Sequence, residues 1–599
     1  MKARPIATLA DIQAIESRPY AEFMPHTHIA DAMAAASTRH RARPALVYIE
    51  SADPAAPCSA WTHGQFIALV RRTARLFSAL AGDEPPRVAM LLPPIPQAWF
   101  TLWGAEAAGI VCPINFLLHA ESLAELVRAA GANIVVALGP HPQLDIWQRA
   151  RELPQRCPAV RHLLSVGAAP DAPSFDALLA ATPDGPWPAR SADDTVALFH
   201  TGGTTGAPKL AQHTHANQLH AAWGAANMYG TTEHDVMLNG FPLFHVAGAF
   251  VFGLSTLLAG GCIVLPTALG LRDAGFVARY WAHVERHRVS LLAAVPTVIA
   301  ALLNVPRGAS SLASVRALLT GGSPLPNELA AQFEQRFAVP VRNILGMTEC
   351  AGVISIEPVL APRTPGSCGL ALPFTRVMAD EAGVLRVRGP NVGPGYTDGQ
   401  RNAGTFTPDG WLITGDIGQV DALGRVFVTG RAKDLIIRSS HNIDPGLIED
   451  ALLAHPEVQM AAAVGEPDEY AGELPIAYVL LKPGATVSAA TLMEFANARI
   501  AERPAYPKRI ELVDAMPMTA IGKVYKPALR LRAIEHAVTQ RLIAAGLSER
   551  VGVQGIDEGT RLKLQFRARA ARAADDEAAL RQIMAPFAIA FEFVDEGAP

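Results

Sequence analysis

Thr201-Gly-Gly-Thr-Thr-Gly-Ala-Pro-Lys209 packs three glycines and three threonines ahead of a single lysine. Glycine lets backbone N–H groups approach an anion closely because no Cβ intervenes. Threonine hydroxyls add donors, and an ammonium adds a point charge that suits phosphate. The uncharged run Thr195-Val-Ala-Leu-Phe-His200 just before it reads as a buried strand. The stretch therefore predicts a loop at a strand end that holds a polyphosphate, with a plain Gly/Thr-rich turn as the alternative. It has neither the G-x-x-x-x-G-K-[ST] spacing of a Walker loop nor the G-x-G-x-x-G spacing of a dinucleotide fold.

Around this loop, helical and strand periods alternate, the signature of α/β architecture. Val88–Leu92 and Ile134–Leu138 read as buried strands, Trp99–Gly109 as a helix, Glu328–Phe337 as an amphipathic helix and Val339–Leu345 as the next strand. Gly139–Asp194 is rich in proline and reads as a loose surface connection. From Gly383 short strands broken by Gly, Pro and Asn predict a β-rich subdomain ending near Gly430. Beyond Arg431 a strand at Leu435–Ile437, a helix over Pro445–Ala454 and strands at Val458–Val464 and Ala477–Leu481 predict a separate small α+β domain. At the end, Leu562, Leu564 and Phe566 alternate, Leu580, Ile583, Met584 and Phe587 have helical spacing, and Ile589, Phe591 and Phe593 alternate again. That pattern predicts a folded strand–helix–strand appendage, since a polar tail has no such periods. The expected organisation is an N-terminal domain over 1–432, a small C-terminal domain over 433–540 and an appendage over 541–599.

Bulk properties narrow the class. A chain of 599 residues exceeds one ordinary core. With 51 basic and 55 acidic residues the formal net charge is −4, which gives no general attraction to nucleic acid or anionic lipid. Six scattered cysteines with no C-x-x-C pair suggest neither a zinc site nor a disulfide framework, and a reducing cytoplasm is the expected compartment. The first twenty residues lack the apolar core of a signal peptide. Val246–Leu265 carries no charge, but its four glycines divide it into a helix, a Gly-Gly turn and a short strand, so no integral membrane segment is expected.

Six further motifs follow the glycine-rich loop: Pro242-Leu-Phe-His-Val-Ala-Gly248, Thr320-Gly-Gly-Ser-Pro-Leu325, Leu345-Gly-Met-Thr-Glu349, Gly410-Trp-Leu-Ile-Thr-Gly-Asp416, Gly430-Arg-Ala-Lys-Asp434 and Pro517-Met-Thr-Ala-Ile-Gly-Lys523. From about residue 25 to about residue 535, their order and spacing resemble the adenylate-forming superfamily of acyl-CoA synthetases, adenylation domains and luciferases. The resemblance implies an acetyl-CoA synthetase-like fold: a large, multi-subdomain α/β N-terminal domain with a β-rich subdomain, then a small mobile α+β domain. It implies a two-step ligation with ATP, Mg2+ and coenzyme A. A small-molecule carboxylic acid is first adenylated, and a thiol then displaces AMP.

The same resemblance assigns roles. Lys523 bridges carboxylate and α-phosphate, cancelling their repulsion. Glu349 is the magnesium-binding acid, and Thr348 bonds a phosphate oxygen. Thr201, Gly202, Gly203, Thr204, Thr205, Gly206 and Lys209 cradle phosphates. Gly321, Gly322 and Ser323 pass along the adenine, with Leu345, Gly346 and Met347 completing that wall. Asp416 accepts from the ribose hydroxyls and Arg431 adds a second contact. His245 borders the acyl pocket, Lys433 is the hinge, and Ser439, Ser440 and His441 line the thiol passage.

Four departures from the family pattern stand out. Gly202 replaces a common serine, Leu210 stands where glycine is frequent, and Leu345 replaces the aromatic that stacks on adenine. Arg438-Ser-Ser-His-Asn442 occupies a loop that commonly carries Gly-Gly, which bears on the thiol step more than on adenylation. Two rivals remain open: an acyl-AMP ligase loading a separate carrier protein, and a silent nucleotide-binding regulator. Retention of Lys523 and Glu349 argues against the second. Fatty, aryl and alicyclic acids all remain open as substrates.

Overall fold

The computed structural model describes residues 5–191, 194–201, 209–431, 434–438, 441–468, 471–500, 503–519, 522–557, 562–568, 579–580, 583–584 and 590–594. Two large sheets dominate the N-terminal part. The seven-stranded sheet runs parallel through Arg87–Leu91, Ile110–Pro113, Ile134–Leu138, His162–Val166 and Thr195–Thr201. It then closes with two antiparallel strands, Lys209–Thr214 and Gly395–Tyr396. In the thirteen-stranded sheet, the strands Val236–Leu238, Cys262–Leu265, Leu291–Ala293, Ala317–Gly321 and Val341–Leu345 are parallel. From Ser355–Ile356 onward its strands turn antiparallel and form the expected β-rich region.

The parallel strands Ile134–Leu138, Cys262–Leu265 and Leu291–Ala293 read as unbroken apolar runs, as strands covered on both faces do. Ile134–Leu138 is buried at every position. The covering helix Pro96–Ala108 is buried almost all round, with Trp99 and Trp103 at 0% and 1% exposure, so it lies inside the molecule. Helix His63–Ala81 starts at a reciprocal Thr62/Gln65 capping box and ends at Gly82, whose φ is +68°.

The uncharged stretch after Val246 is internal. Ala247–Leu254 is wound as a π-helix, continues as Ser255–Ala259 and turns at Gly260 into the strand Cys262–Leu265. Among the described residues no helix is long and apolar enough to cross a membrane.

The expectation for Gly139–Asp194 is corrected. It holds the edge strand His162–Val166 and the helices Ile146–Ala150, Leu153–Arg156 and Phe175–Ala181. Pro140, Pro142, Pro158, Pro170 and Pro173 fall between these elements, and Pro154 opens a helix, so proline punctuates the segment without loosening it.

The C-terminal part has a five-stranded sheet built on the Val458–Asp468/Gly472–Leu481 pair. Helices Pro445–Leu453 and Ala489–Asn497 pack on one face, and Leu529 and Ala533 of the long helix Lys526–Ala544 pack on the other. The opposite side of that long helix presents Leu531, Val538 and Leu542 to the appendage. The appendage has one strand more than expected. Val551–Asp557 pairs antiparallel with Leu562–Ala568, which pairs parallel with Ala590–Val594. The expected helix is represented by helical residues at 579–580 and 583–584, and Phe587 and Ile589 lie outside the described residues.

Candidate active site

The adjacent parallel strands Ala317–Gly321 and Val341–Leu345 end side by side, with Gly321 opposite Ile344. Ligands of α/β sheets gather at such carboxyl ends. Gly321 has no room for a side chain, since a Cβ would lie 2.5 Å from the Ile344 carbonyl oxygen. Gly322 follows at φ +78°, and Ser323 is part-buried beside it. The loop after Leu345 doubles back on itself: Gly352 N–H donates to the Met347 carbonyl at 3.0 Å and Ile354 N–H to that of Leu345 at 2.7 Å. Only glycine fits at 346, where a Cβ would sit 2.0 Å from the Gly352 carbonyl oxygen. This fold-back holds Thr348 and Glu349 in a single 3-10 turn.

Glu349 is 7% exposed, and the Tyr396 hydroxyl donates to its Oε1. Its backbone carbonyl accepts from Gly393 N–H at 2.9 Å. Tyr396 belongs to the other sheet, paired with Ala211. Burial, then the Glu349 charge, push its phenol far above the ordinary tyrosine range, so it stays a donor. The Lys209 ammonium stands 5.5 Å from the centre of the same ring. A carboxylate, a phenol and an ammonium from three separate segments therefore converge where the two sheets meet.

Thr201 and Lys209, at the two ends of the glycine-rich segment, pair across the antiparallel strands Thr195–Thr201 and Lys209–Thr214. Gly202, Gly203, Thr204, Thr205 and Gly206 lie outside the described residues. The helix His215–Tyr229 follows directly, fixed by a Thr214/Asn217 capping box. Asn217 also donates to the Pro390 and Val392 carbonyls at 2.8 Å each, tying this helix to the Tyr396 segment.

His245 sits at the mouth of the π-helix. Its Nδ1 accepts from Ala247 N–H at 3.3 Å, so the neutral ring carries its proton on Nε2. Burial first, then the Lys523 and His200 charges, push its pKa down to about 3. His200, the last residue before Thr201, is pushed down to about 4 by burial, and its Nε2 accepts from Asn115 N–H at 3.1 Å. The Phe244 ring stacks on His200 at 6.2 Å. Both imidazoles are uncharged near neutrality, so the wall presents no cation of its own there. Gly352 packs under Val246, where a Cβ would lie 3.0 Å from Val246 Cγ2.

Asp416 and Arg431 are register partners across an antiparallel strand pair. Asp416 is 5% exposed, and its N–H donates to Thr414 Oγ1 at 3.0 Å.

Lys523 reaches this cluster from the other end of the chain. It closes a small hairpin in which Met518 bridges Val524 and Thr519 N–H donates to the Lys523 carbonyl at 2.6 Å. Lys523 Cε and Nζ lie 3.1 and 3.2 Å from where a Cβ on Gly322 would stand. Lys433, Ser439 and Ser440 lie outside the described residues, and for Arg431 and His441 only the strand position is described.

Sequence reasoning missed Tyr396, His200 and Thr297. His200 abuts the glycine-rich loop and was readable only as part of a strand. Tyr396 follows Gly393-Pro-Gly395, a break that marks a turn but not a partner. Thr297, whose hydroxyl donates to the Gly522 carbonyl, lies second in the helix Pro296–Leu303 and gave no signal at all.

The family profile described as AMP-binding enzyme matches residues 33–397, and the one described as AMP-binding enzyme C-terminal domain matches residues 447–523. The chain belongs to the AMP-binding enzyme family. It is 35% identical over 563 residues to the marinolic acid–CoA ligase of Pseudoalteromonas sp. (strain SANK 73390), covering 90% of this chain and 86% of that one. It is 34% identical over 483 residues to a feruloyl-CoA synthase of Amycolatopsis sp., covering 78% and 93%. Among solved structures, ATP-bound MatB from Rhodopseudomonas palustris superposes with a TM-score of 0.73 at 27% identity, over 84% of this chain and 98% of that one.

Proposed function

We propose that the protein is an ATP-dependent carboxylate–CoA ligase that works through an acyl-adenylate. The observation that carries this reading is the seat of Lys523 beside Gly322, at the strand ends where the other motifs gather. A lysine from a distant hairpin has reason to be there if two anions must meet. In step one a carboxylate oxygen attacks the α-phosphorus of ATP, and the bond to the bridging oxygen breaks to release pyrophosphate. Lys523 neutralises the approaching negative charges. The Thr201–Lys209 segment holds the phosphates, with Lys209 and Thr348 as further partners. Gly321, Gly322 and Ser323, with Leu345, Gly346 and Met347, give the adenine a flat, side-chain-poor wall. Asp416 and Arg431 take the ribose.

Glu349 fits a hard divalent cation: it is a buried carboxylate with one oxygen engaged by Tyr396 and no cluster of three ligating side chains around it among the described residues. That suits Mg2+, which keeps waters and substrate phosphates as its other ligands. When bound, the ion supplies charge neutralisation on the phosphates.

In step two the thiol of coenzyme A gives up its proton to solvent, its sulfur attacks the acyl carbon, the bond to the phosphate oxygen breaks and AMP leaves with that oxygen. His245, uncharged, shapes the acyl wall and offers Nε2–H. Lys523 must withdraw for the thiol, with Lys433 as the pivot and Ser439, Ser440 and His441 along the passage. The proposed units are 1–432, 433–540 and 541–599, and the proposed compartment is the cytoplasm.

A panel of carboxylic acids scored for pyrophosphate and AMP, with and without coenzyme A, tests the reading. The expected result is acid-dependent pyrophosphate without the thiol, and AMP with an equal amount of thioester once coenzyme A is added. Acid-dependent pyrophosphate with no thioester would move the assignment to carrier loading. No pyrophosphate with any acid would remove it.

A further inference from the structure

The hydroxyl of Thr297 donates to the carbonyl of Gly522 at 2.6 Å, joining residues 225 positions apart. Thr297 lies in the first turn of the helix Pro296–Leu303, whose N-cap, Val295, makes no side-chain capping bond. A helical threonine ordinarily returns its hydroxyl to a carbonyl of its own preceding turn. Here it crosses from the N-terminal core to the hairpin that carries Lys523.

The accepting carbonyl belongs to the peptide plane between Gly522 and Lys523. The N–H of that same plane donates to Thr519 Oγ1 at 3.0 Å. One threonine therefore grips the plane at its oxygen and another at its nitrogen, fixing the direction in which the Lys523 side chain leaves the backbone. Gly522 is suited to this. Its φ is +77°, a region side-chain-bearing residues avoid, and a Cβ there would stand 3.3 Å from both Thr297 Oγ1 and Val295 Cγ2.

We propose that Thr297 is a positioning residue for adenylation, a latch that seats the Gly522–Lys523 peptide in the active site and must release for the thiol step. The inference rests on the ligase reading. The contact spans the two parts of the chain, so it exists only while Lys523 is in place. Its stabilisation belongs to step one alone, and step two proceeds with it broken.

The test uses the full-length protein and three measurements: acid-dependent ATP–pyrophosphate exchange, thioester formation from supplied acyl-adenylate and coenzyme A, and thermal melting. Thr297→Val keeps the branched shape and removes the hydroxyl. We expect it to lower kcat for exchange by about 5- to 10-fold, the worth of one hydrogen bond, while thioester formation and melting stay at the wild-type level. Thr297→Ser should restore exchange to within about 2-fold, since it restores that one bond. Equal losses in both half-reactions, or no loss in either, would overturn the latch. Wild-type exchange left unchanged by Thr297→Val counts against the latch alone, whereas no exchange in the wild type with any acid counts against the ligase reading on which it stands.

Discussion

Lys523 Nζ stands 3.2 Å from the point where a side chain on Gly322 would begin. Two constraints coincide at that glycine. Its φ of +78° is costly for any L residue, and the space a Cβ would fill is already taken by the lysine. The lysine tip is flexible and can shift, so backbone strain outweighs the steric clash. Gly322→Ala is expected to reduce adenylation by roughly 10-fold or more, from about 1–2 kcal/mol of left-handed strain plus displacement of the ammonium. Pyrophosphate exchange measured beside thioester formation checks this, and an unimpaired exchange rate would contradict the placement.

Tyr396 holds Glu349 from behind. Removing its hydroxyl leaves a buried carboxylate oxygen without its donor. Tyr396→Phe should therefore raise the Mg2+ concentration for half-maximal exchange by about 10-fold, in the range seen when partners of metal ligands are removed. A Mg2+ titration at saturating ATP reads the effect. An unchanged titration curve would show that the phenol does not orient Glu349.

Five histidines are expected to make the fold acid-sensitive: His213, His215 and His220 are buried, and His200 and His245 are part-buried. Burial pushes His200, His213 and His215 down to about 4, and His220 and His245 to about 3, from an ordinary value of 6.5. Because these folded values lie below the unfolded one, the unfolded chain gains protons between pH 6.5 and 4 that the folded chain refuses. Their stabilisation is complete above pH 6.5 and is lost as pH falls toward 4. Thermal melts should show Tm dropping steadily over that window. A Tm that holds from pH 7 to pH 4.5 would contradict the neutral assignment.

Glu106 acts with the opposite sign. Burial pushes its carboxyl well above the ordinary range, with a 3.1 Å bond from Gln218 Nε2 only partly offsetting it. A raised folded value means the unfolded chain sheds its proton first, so stability falls as pH rises past about 4.5. Glu106→Gln keeps an acceptor for Gln218 without the ionisable group. It should raise Tm at pH 8 and have little effect near pH 4.5, and equal effects at both would rule out ionisation as the cause.

The appendage shares a core with the helix that follows Lys523. Leu531, Val538 and Leu542 of that helix pack with Leu564, Phe566, Leu580 and Met584. Ending the chain after Leu547 would expose this apolar face, at about 25 cal/mol per Å2 uncovered. The expected outcome is a lower Tm and self-association, read by size-exclusion chromatography. A monodisperse truncated protein of unchanged Tm would show that the appendage is energetically separate.

The sequence was most legible where one physical signal dominated. Buried parallel strands such as Ile134–Leu138 read as continuous apolar runs, and ordered motifs marked the strand ends at Gly321 and Leu345. Proline density misled at 139–194, because proline marks element boundaries as readily as loops. Val551–Asp557 was missed because its sequence, Val-Gly-Val-Gln-Gly-Ile-Asp, carries two glycines. A Cβ on Gly555 would stand 2.6 Å from Leu531, so that glycine serves close packing against a helix and not a break. The Thr297–Gly522 and Tyr396–Glu349 contacts were illegible for a different reason. Each joins segments far apart in the chain through one side chain, and local pattern carries no information about such pairs.

If Lys523 brings acid and nucleotide together in step one and takes no part in step two, its removal must separate the two half-reactions. The direct measurement is the pair of half-reaction rates for Lys523→Ala. Acid-dependent pyrophosphate exchange is expected to fall by about 100- to 1,000-fold, as for loss of one preorganised charge-stabilising donor, while thioester formation from supplied acyl-adenylate stays within about 2-fold of wild type. Parallel collapse of both rates, or exchange that survives the substitution, would contradict this division of labour.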